Sequence, residues 1–294
     1  MFDIKTIYES SNISGTAHIS CITYRNLNNI PHYHSDHELV YINRGNAIVM
    51  INETNFNLTS NECVFIHSDD IHYIQSDKAT VITVLKAEKK HFKNIFTSKR
   101  FLSPIVNENL NVKSALNDIN SELHSEADCN GIMADSIAAQ LFIHMLRDER
   151  TSTCDSTSLK KINTLELYKE ISGKISNEYN TITFKEAANH MHFSEPYFSK
   201  IFHNIFGMTF TQYLNTVRVA VAIEKLKESS LSITEISSDC GFNTIRNFNR
   251  VFKKLTGYSP NNLPPDYSFL YSLQEGHGLD PTLNCTEILK YDNK

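Results

Sequence analysis

The chain has 294 residues, of which 40% are hydrophobic and 21% are charged, and its formal net charge at pH 7 is -5. This length favours two domains of ordinary size, and the acidic balance argues against a protein that binds nucleic acid over its whole surface. No membrane-length apolar run, signal-peptide core or CxxC pair is present, which favours a cytoplasmic protein with reduced thiols.

Residues 1–100 alternate short apolar runs with turn residues. The runs ELVYINRG, NAIVMINE and ECVFIHSD are separated by Asn, Ser, Asp and Gly. This alternation is typical of a small antiparallel β-barrel or sandwich. We therefore predict a β-rich domain over residues 1–100.

A histidine-rich motif lies within this region, and its spacing is H-x-H-x3-E-x6-G. It resembles the first motif of the cupins, and a further histidine stands where the second cupin motif places its last ligand. The resemblance implies a metal site in the metal-dependent cupins, although Asn61 and His67 replace the glycine and proline expected in the second motif. Three roles stay open, namely metal binding, contact with a small ligand and packing, and we assign no cofactor and no metal. The predicted pocket residues are His32, His34, Glu38 and His72.

Residues 101–150 show apolar positions at helical spacing in VKSALNDINSELHSE and IMADSIAAQLFIHMLRDER. Such helices either cover the barrel or leave a partly wet apolar stripe that a second copy of the chain can cover. We predict a dimer interface at Met133, Ile137, Leu141 and Met145. The polar stretch TSTCDSTS, which has no periodicity, then predicts an interdomain linker over residues 151–162.

The second half contains an internal repeat. Shifted by about 50 residues, FSKIFHNIFG at 198–207 aligns with FNRVFKKLTG at 248–257. Each copy is preceded by a short helix that begins with a capping box, at 183–186 and at 232–235. The segment between the copies, residues 210–229, reads as one long helix. The repeat therefore predicts two helix-turn-helix units, which present their second helices to the DNA major groove.

The corner of each unit has its own signals. Gly241 permits a left-handed turn in the second copy, whereas His192 stands at that place in the first. Ser194 and Thr244 are the predicted N-caps of the two recognition helices.

The second recognition helix is locally basic in an acidic chain. The segment 241–260 contains four cationic side chains and no acidic one, whereas residues 151–294 as a whole hold 15 of each sign. Arg246 and Arg250 lie one turn apart, where guanidinium groups can bond guanine edges. Lys200, Lys253 and Lys254 suit phosphate contacts.

Residues 180–264 resemble the DNA-binding region of the AraC/XylS family of bacterial transcription regulators. The residues that carry the resemblance are Phe210, Tyr213, Leu214, Arg218, Ala222, Ile233, Ile236, Gly241, Phe242, Phe248, Arg250, Val251, Phe252, Lys253, Lys254, Gly257 and Pro260. Matched position by position, the resemblance implies base contacts from Glu195, Pro196, Ser199, Lys200, Ile245, Arg246, Asn249 and Arg250. We add His203, Thr244, Lys253 and Lys254 as further predicted DNA contacts. Because regulators of this family commonly carry a cupin-like sensing domain, the resemblance also implies that the pocket of His32, His34, Glu38 and His72 is the effector pocket. Glu195 and Pro196 depart from the family pattern because neither side chain donates hydrogen bonds.

We therefore predict an α+β protein of two domains, with no enzymatic activity. Its segments are a cupin-like β-barrel over 1–100, a helical dimerisation segment over 101–150, a linker over 151–162, a double helix-turn-helix domain over 163–266 and an extension over 267–294. The predicted function is transcription activation in response to a small molecule, such as a sugar. The expected partners are promoter DNA, an effector, RNA polymerase and a second copy of the chain. The alternatives are a metal-dependent cupin enzyme with a DNA-binding appendage and a ligand-free regulator controlled by a protein partner.

Overall fold

The structure is a computed structural model that describes residues 8–9, 17–96, 99–107, 110–148, 151–153, 158–228, 230–264, 267 and 286–289. The chain divides into two compact units, one formed mainly by residues 9–162 and the other mainly by residues 163–271. The first is rich in strands and the second is helical, which confirms the predicted two-domain α+β class. The segment LDPTLN at 279–284, which belongs to the predicted C-terminal extension, lies outside the described residues.

The first unit contains the strands and two helices. The strands are β1 (Tyr8–Glu9), β2 (Ile19–Arg25), β3 (Tyr33–His34), β4 (His37–Arg44), β5 (Asn46–Ile51), β6 (Thr54–Thr59), β7 (Cys63–Ile66), β8 (His72–Ser76), β9 (Val81–Ala87), β10 (Lys99–Phe101), β11 (Thr151–Thr153) and β12 (Glu287–Leu289). The helices are α1 (Val112–Leu123) and α2 (Asn130–Asp148).

Two antiparallel sheets enclose the interior of the barrel. The larger has the strand order β12-β2-β9-β4-β7 and the smaller has the order β6-β5-β8. Side chains alternate along β4, so that Val40 and Ile42 join the interior cluster that Val49 and Ile74 of the smaller sheet complete. Glu38 shares this interior phase of β4 and is fully buried, so the interior has a polar end.

The outer face of the larger sheet is covered by the two helices. Leu39 and Leu85 from the sheet pack in one cluster with Phe142, Leu141 and Met145 from α2. Met145 is 0% exposed and Leu141 is 6% exposed. Both residues were predicted at a dimer interface, and that prediction is wrong for them, because a side chain buried against its own sheet has no surface to offer a partner.

The other two predicted interface residues differ from these. Ile137 is half-buried against the same cluster, whereas Met133 is 52% exposed and lies beside Ile132, which is 60% exposed. The accessible apolar surface of α2 is therefore displaced from the predicted stripe toward the start of the helix.

The predicted linker is partly regular structure. Residues 151–153 form β11, which pairs with β10 in antiparallel register, and residues 158–162 already belong to the next helix. Near the other end of the chain, β12 pairs with β2 at the edge of the larger sheet, where Glu287 accepts a hydrogen bond from Arg25 at 3.0 Å. Part of the predicted C-terminal extension thus completes a sheet of the first unit.

The second unit is built from helices. They are α3 (Ser158–Glu178), α4 (Phe184–His190), α5 (Glu195–Phe206), α6 (Phe210–Glu228), α7 (Ile233–Asp239) and α8 (Ile245–Thr256), followed by a 3-10 turn at Pro260–Asn262. Helix α6 joins two helix pairs: near its start Phe210 and Tyr213 pack on the phenylalanines of α5, and farther along Val219 and Ile223 join the core of α7 and α8. Within the described part of the chain, no helix combines the length and apolarity needed to cross a membrane.

Candidate DNA-binding surface and sensing core

Both short helices begin with the predicted capping boxes. In the first, the hydroxyl of Thr183 accepts from the backbone N–H of Glu186, whose carboxylate accepts from the backbone N–H of Thr183. Ser232 and Glu235 repeat this exchange at the start of α7. In each box the hydrogen bonds to its carboxylate lower the pKa of the glutamate. The start of each unit is therefore fixed by local contacts, as the sequence predicted.

The two corners have the same left-handed turn built from different residues. Gly241 has φ 78, and a Cβ at this position would collide with the backbone of Asn180. His192, at the equivalent place in the first unit, has φ 55, a conformation that is costly for a residue with a Cβ. The small residues before each turn, Ala188 and Ser237, are buried. The backbone at each corner must therefore turn left-handed, whether or not a glycine is available.

The predicted N-caps of the recognition helices differ. Thr244 accepts a hydrogen bond from the backbone N–H of Asn247 at 3.2 Å, which confirms it as a cap. Ser194 occupies the N-cap position of α5, as predicted, but its side chain makes no capping hydrogen bond. The predicted position is therefore right and the predicted hydrogen bond is wrong. In α5 the helix start is instead pre-organised by Pro196, whose φ is already helical.

Arg218 of α6 connects the second corner to the preceding helix. Its Nε donates to the backbone oxygen of Tyr179 at 2.7 Å, and its guanidinium lies 5.7 Å from the centroid of the Phe242 ring. Phe242 is the first residue after Gly241 and belongs to the buried core of the second unit. In the sequence Arg218 is only one of the residues that carry the family resemblance, and in the structure it makes a positioning contact.

The recognition helices bury one face and expose the other. Phe248, Val251 and Phe252 of α8 are buried, at the three- and four-residue spacing of one helix face, whereas Ile245 is 43% exposed because it is the first residue of the helix. All of the sequence-predicted DNA contacts are exposed, namely Glu195, Pro196, Ser199, Lys200, His203, Thr244, Ile245, Arg246, Asn249, Arg250, Lys253 and Lys254. These side chains are therefore not engaged in the core of the helical unit.

The two exposed faces have different charges. On α8, Arg246, Arg250, Lys253 and Lys254 lie on one side, and Arg250 donates to the side chain of Asn247 at 2.8 Å. This hydrogen bond orients the guanidinium before any ligand binds. The first turn of α5 carries an acidic residue at Glu195. Electrostatic attraction to phosphate therefore comes chiefly from α8.

One exposed aromatic residue was missed by the sequence analysis. Tyr197, in the first turn of α5, is 50% exposed and packs edge-to-face on Phe193. The sequence signal was an aromatic residue directly before the buried Phe198, out of phase with the apolar face.

The four residues predicted for the effector pocket lie together at the polar end of the barrel interior. His34 Nε2 is 2.8 Å from Glu38 Oε2, and His72 Nε2 is 3.3 Å from the same oxygen. His32 joins them through a backbone bridge to His72. None of the four is more than 2% exposed. Strands β3, β4 and β8 and the segment before β3 therefore build one buried cluster, which we call the histidine cluster (His32, His34, Glu38 and His72).

The hydrogen-bond geometry of the histidine cluster favours a bound cation or an extra proton. The Nδ1 atoms lie close to backbone oxygens, at 2.8 Å from Ile30 for His32, 3.1 Å from Asp36 for His34 and 2.9 Å from Asp70 for His72. A neutral imidazole has one N–H, yet His34 and His72 each face an acceptor at both ring nitrogens. A ring that donates its N–H from Nδ1 to a backbone oxygen has a lone pair on Nε2, which faces Glu38. Metal-ligating histidines likewise donate one ring N–H to the protein and use the other ring nitrogen to bind the ion.

The electrostatics of the cluster keep Glu38 ionised. Burial would raise the pKa of Glu38, but the charge of His72 and the hydrogen bonds from His34 and His72 hold it well below its usual range. Burial lowers the pKa of His34, and the nearby charge of Lys86 lowers it further. Lys86 of β9 lies directly opposite Glu38 in the antiparallel register of β4 and β9, and it is itself buried. It is a second residue that the sequence analysis did not identify.

The donor set fits a divalent cation. The three histidine rings offer ligand nitrogens within 4.8 Å of one another, and the carboxylate of Glu38 faces two of them. Imidazole and carboxylate ligands suit zinc, iron and manganese. The same groups can instead hydrogen-bond the hydroxyls of a small polar ligand.

Comparison with known proteins identified both halves of the chain. A family model described as an AraC-like ligand binding domain matches residues 18–143, and one described as a helix-turn-helix domain matches residues 187–263. The HTH-type transcriptional activator RhaR of Cronobacter sakazakii is 24% identical over 241 residues, which cover 78% of this chain and 84% of that protein. RhaR of Escherichia coli is 26% identical over 256 residues, with 78% and 85% covered.

Among solved structures, ToxT from Vibrio cholerae O395 aligns with a TM-score of 0.40 and 14% identity over 83% of this chain and 95% of that chain. The DNA-binding domain of AdpA, solved with a target DNA, aligns with a TM-score of 0.30 and 25% identity over 31% of this chain and 84% of that chain.

Proposed function

Because the chain belongs to the AraC/XylS family of transcription regulators, we propose that it is a DNA-binding activator whose N-terminal unit responds to a small-molecule effector. One observation carries the proposal: two helix-turn-helix units with exposed recognition helices share a chain with a β-barrel whose interior contains a buried polar cluster. The relatives that cover most of this chain are named as transcriptional activators. A regulator of this class has no need for catalysis, so we infer that the protein is not an enzyme.

We infer that the effector binds at the polar end of the barrel interior. A hydroxyl-rich molecule such as a sugar offers both donors and acceptors, and the histidine cluster together with Lys86 provides both kinds of partner. The surrounding interior is apolar, so a bound ligand is held by few polar groups in a water-poor environment, where each hydrogen bond discriminates strongly.

We assign the predicted segments the following roles. The sensing unit comprises the barrel (1–100) and the helices of 101–150, the segment 151–162 connects it to the DNA-binding domain (163–266), and residues 267–294 form an extension. The expected partners are promoter DNA, RNA polymerase and a second copy of the chain in the cytoplasm. The surface proposed for that second copy is the exposed start of α2, where the neighbouring apolar side chains of Ile132 and Met133 are 60% and 52% exposed.

The proposal is tested by selecting DNA fragments from the genome with the purified full chain and measuring binding by fluorescence anisotropy. A specific site should be bound at physiological salt far more tightly than random DNA, with an affinity that falls steeply as salt rises. A panel of sugars should then include one that raises the melting temperature of the chain and changes its DNA affinity. Equal affinity for all DNA sequences would contradict the proposal.

A second candidate function, metal-dependent chemistry in the barrel, is favoured by the donor set of the histidine cluster. Its residues would hold a divalent ion, and such an ion would supply Lewis-acid chemistry to a bound substrate. Metal analysis of the purified protein decides this question. Less than about 0.1 equivalent of any transition metal would dismiss a resident ion.

A further inference from the structure

A second group of potential metal ligands lies on the opposite side of the larger sheet, away from the barrel interior. His18 comes directly before β2, His91 follows β9, and Asp135 projects from α2. His18 Nδ1 lies 2.8 Å from Asp135 Oδ2, and His91 Nε2 lies 3.7 Å from the same oxygen. We call these three residues the surface triad.

The spacing of these atoms suits a small transition metal ion. All three ligand atoms lie within 4.8 Å of one another. Ligands about 2.0–2.1 Å from a tetrahedral zinc ion are separated by roughly 3.3 Å, and the two distances to Asp135 Oδ2 bracket that value. Two imidazoles and one carboxylate form a donor set used by zinc and non-haem iron sites that keep open positions.

Burial separates the anchor of the surface triad from its movable ligands. The Asp135 side chain is 8% exposed, whereas those of His18 and His91 are 42% and 40% exposed. Asp135 is also fixed by the backbone N–H of His18, which donates to Oδ1 at 2.9 Å. An ion can therefore enter from solvent on the histidine side and meet a carboxylate that is already held in position.

The two rings require one adjustment. They stack with centroids 3.8 Å apart and planes 9° apart, so their nitrogen lone pairs run parallel and do not meet at one point. A ligand nitrogen must direct its lone pair at the ion, so at least one ring has to rotate. Both rings are partly exposed, so either can rotate; rotation of the His91 ring also changes its edge contact with the buried Phe92, at a centroid distance of 4.9 Å.

The geometry points to a transition-metal site at His18, His91 and Asp135, distinct from the histidine cluster, in which a zinc-class ion ties the two barrel segments to α2. The three ligands come from three elements, so a bound ion acts as a cross-link within the sensing unit. It would hold the part of α2 that follows the exposed residues Ile132 and Met133. Metal binding here would therefore stabilise the helix proposed to contact a second copy of the chain.

The test uses the untagged, metal-free full chain without DNA, titrated with Zn²⁺ by calorimetry and with Co²⁺ by visible absorption. Four proteins are compared: the wild type, His18→Asn/His91→Asn, His144→Asn as a control for an exposed histidine of α2, and His34→Asn/His72→Asn as a control that removes two ligands of the histidine cluster. We expect the wild type and both controls to bind one Zn²⁺ at the surface triad, with Co²⁺ bands typical of nitrogen and oxygen ligands. Loss of the His18 and His91 side chains should weaken Zn²⁺ binding at the surface triad at least about tenfold.

Thermal unfolding separates metal binding from a purely structural contact. Saturating Zn²⁺ should raise the melting temperature of the wild type by more than that of His18→Asn/His91→Asn, in which the histidine cluster is intact. The assignment is overturned if the wild type shows no saturable binding, or if His18→Asn/His91→Asn binds as many equivalents of Zn²⁺ as the wild type with equal affinity. A His18→Asn/His91→Asn variant that is merely less stable without metal, while the wild type ignores Zn²⁺, would show that the surface triad is structural only. None of these readouts depends on DNA or effector binding, so they stand apart from the proposed function.

Discussion

His34 Nε2 and Glu38 Oε2 lie 2.8 Å apart, and both side chains are shielded from solvent inside the barrel. The two residues are four positions apart in sequence, at the end of β3 and near the start of β4. This contact places a charged carboxylate and an imidazole on the interior face that the proposed effector would meet. Substitution of these two residues is therefore the most direct test of effector sensing.

We predict that a His34→Ala/Glu38→Ala variant keeps its affinity for specific DNA but loses the response to the effector. Neither residue belongs to the helical unit that carries the recognition helices. Anisotropy with and without the effector measures both quantities in one experiment. Circular dichroism is the control, because a variant that loses its β signal would report a packing role for the pair instead.

Stability at low pH is predicted to depend on His37, which faces the aromatic cluster under α2. Burial lowers its pKa to about 3, and the charges of Lys89 and Arg100 act in the same direction while Asp70 opposes them. The unfolded chain, with a histidine pKa of about 6.5, binds the extra proton first as the pH falls. The contribution of His37 to the free energy of unfolding is therefore fully present above about pH 6.5. It is lost as the pH falls toward 3, by at most about 1.4 kcal/mol per pH unit.

Urea unfolding of the wild type and of His37→Gln across this pH range checks that prediction. Glutamine retains an acceptor for the backbone N–H of Ser68, which His37 Nδ1 accepts at 3.2 Å, but it binds no proton. The difference in unfolding midpoint between the two proteins should shrink as the pH falls. If the unfolding midpoints of the two proteins change with pH in the same way, His37 does not titrate as proposed.

The DNA-binding half could be predicted closely because its signals are local. A capping box spans four residues, and the apolar face of α8 repeats every three to four residues, so each can be recognised without knowing the rest of the fold. The equivalence of His192 and Gly241 followed from aligning the two copies. The failed detail, the side chain of Ser194, is also local, but a hydroxyl at the N-cap is free to face solvent.

The sensing half could be predicted in class but not in contacts. Residues 151–153 read as a linker, because their partner strand lies about 50 residues earlier and pairing at that distance leaves no local pattern. Helix α2 is apolar on more than one side, so periodicity alone did not show that Leu141 and Met145 face the sheet. The surface triad spans 117 residues between His18 and Asp135, and no motif connects them.

Two substitutions in α8 are predicted to affect DNA binding in different ways. Arg250→Ala should weaken binding to the specific site by roughly 1–3 kcal/mol and relax the preference at one base pair, because a bidentate contact to a base edge is lost. Lys254→Ala should weaken all sequences about equally and reduce the salt dependence by about one phosphate contact. Anisotropy titrations at several salt concentrations measure both effects. If neither substitution changes binding, α8 is not the recognition helix.

The two corners predict opposite responses to glycine exchange. Gly241→Ala should destabilise the helical unit, because the new Cβ meets the backbone of Asn180 and φ is 78. His192→Gly should be neutral or stabilise that unit by up to about 1 kcal/mol, because it relieves a positive φ at an exposed residue. Thermal unfolding of segment 158–267 carrying each change provides the measurement, with the unsubstituted segment as reference. Equal losses from both changes would contradict the strain argument.

Dimerisation is predicted to depend on the exposed start of α2 and not on its buried stripe. Ile132 and Met133 are 60% and 52% exposed, so replacing both with Glu introduces charge at the proposed contact without disturbing the core, and the folded chain should become a monomer. Leu141→Glu is the matched comparison: the residue packs between α2 and the sheet, and a buried unpaired carboxylate there should unfold the sensing unit. Sedimentation velocity reports the mass and circular dichroism the fold. A wild type that sediments as a monomer at tens of micromolar, with and without DNA, would remove the dimer from the proposed function, and dimers of the Ile132→Glu/Met133→Glu variant would move the contact elsewhere.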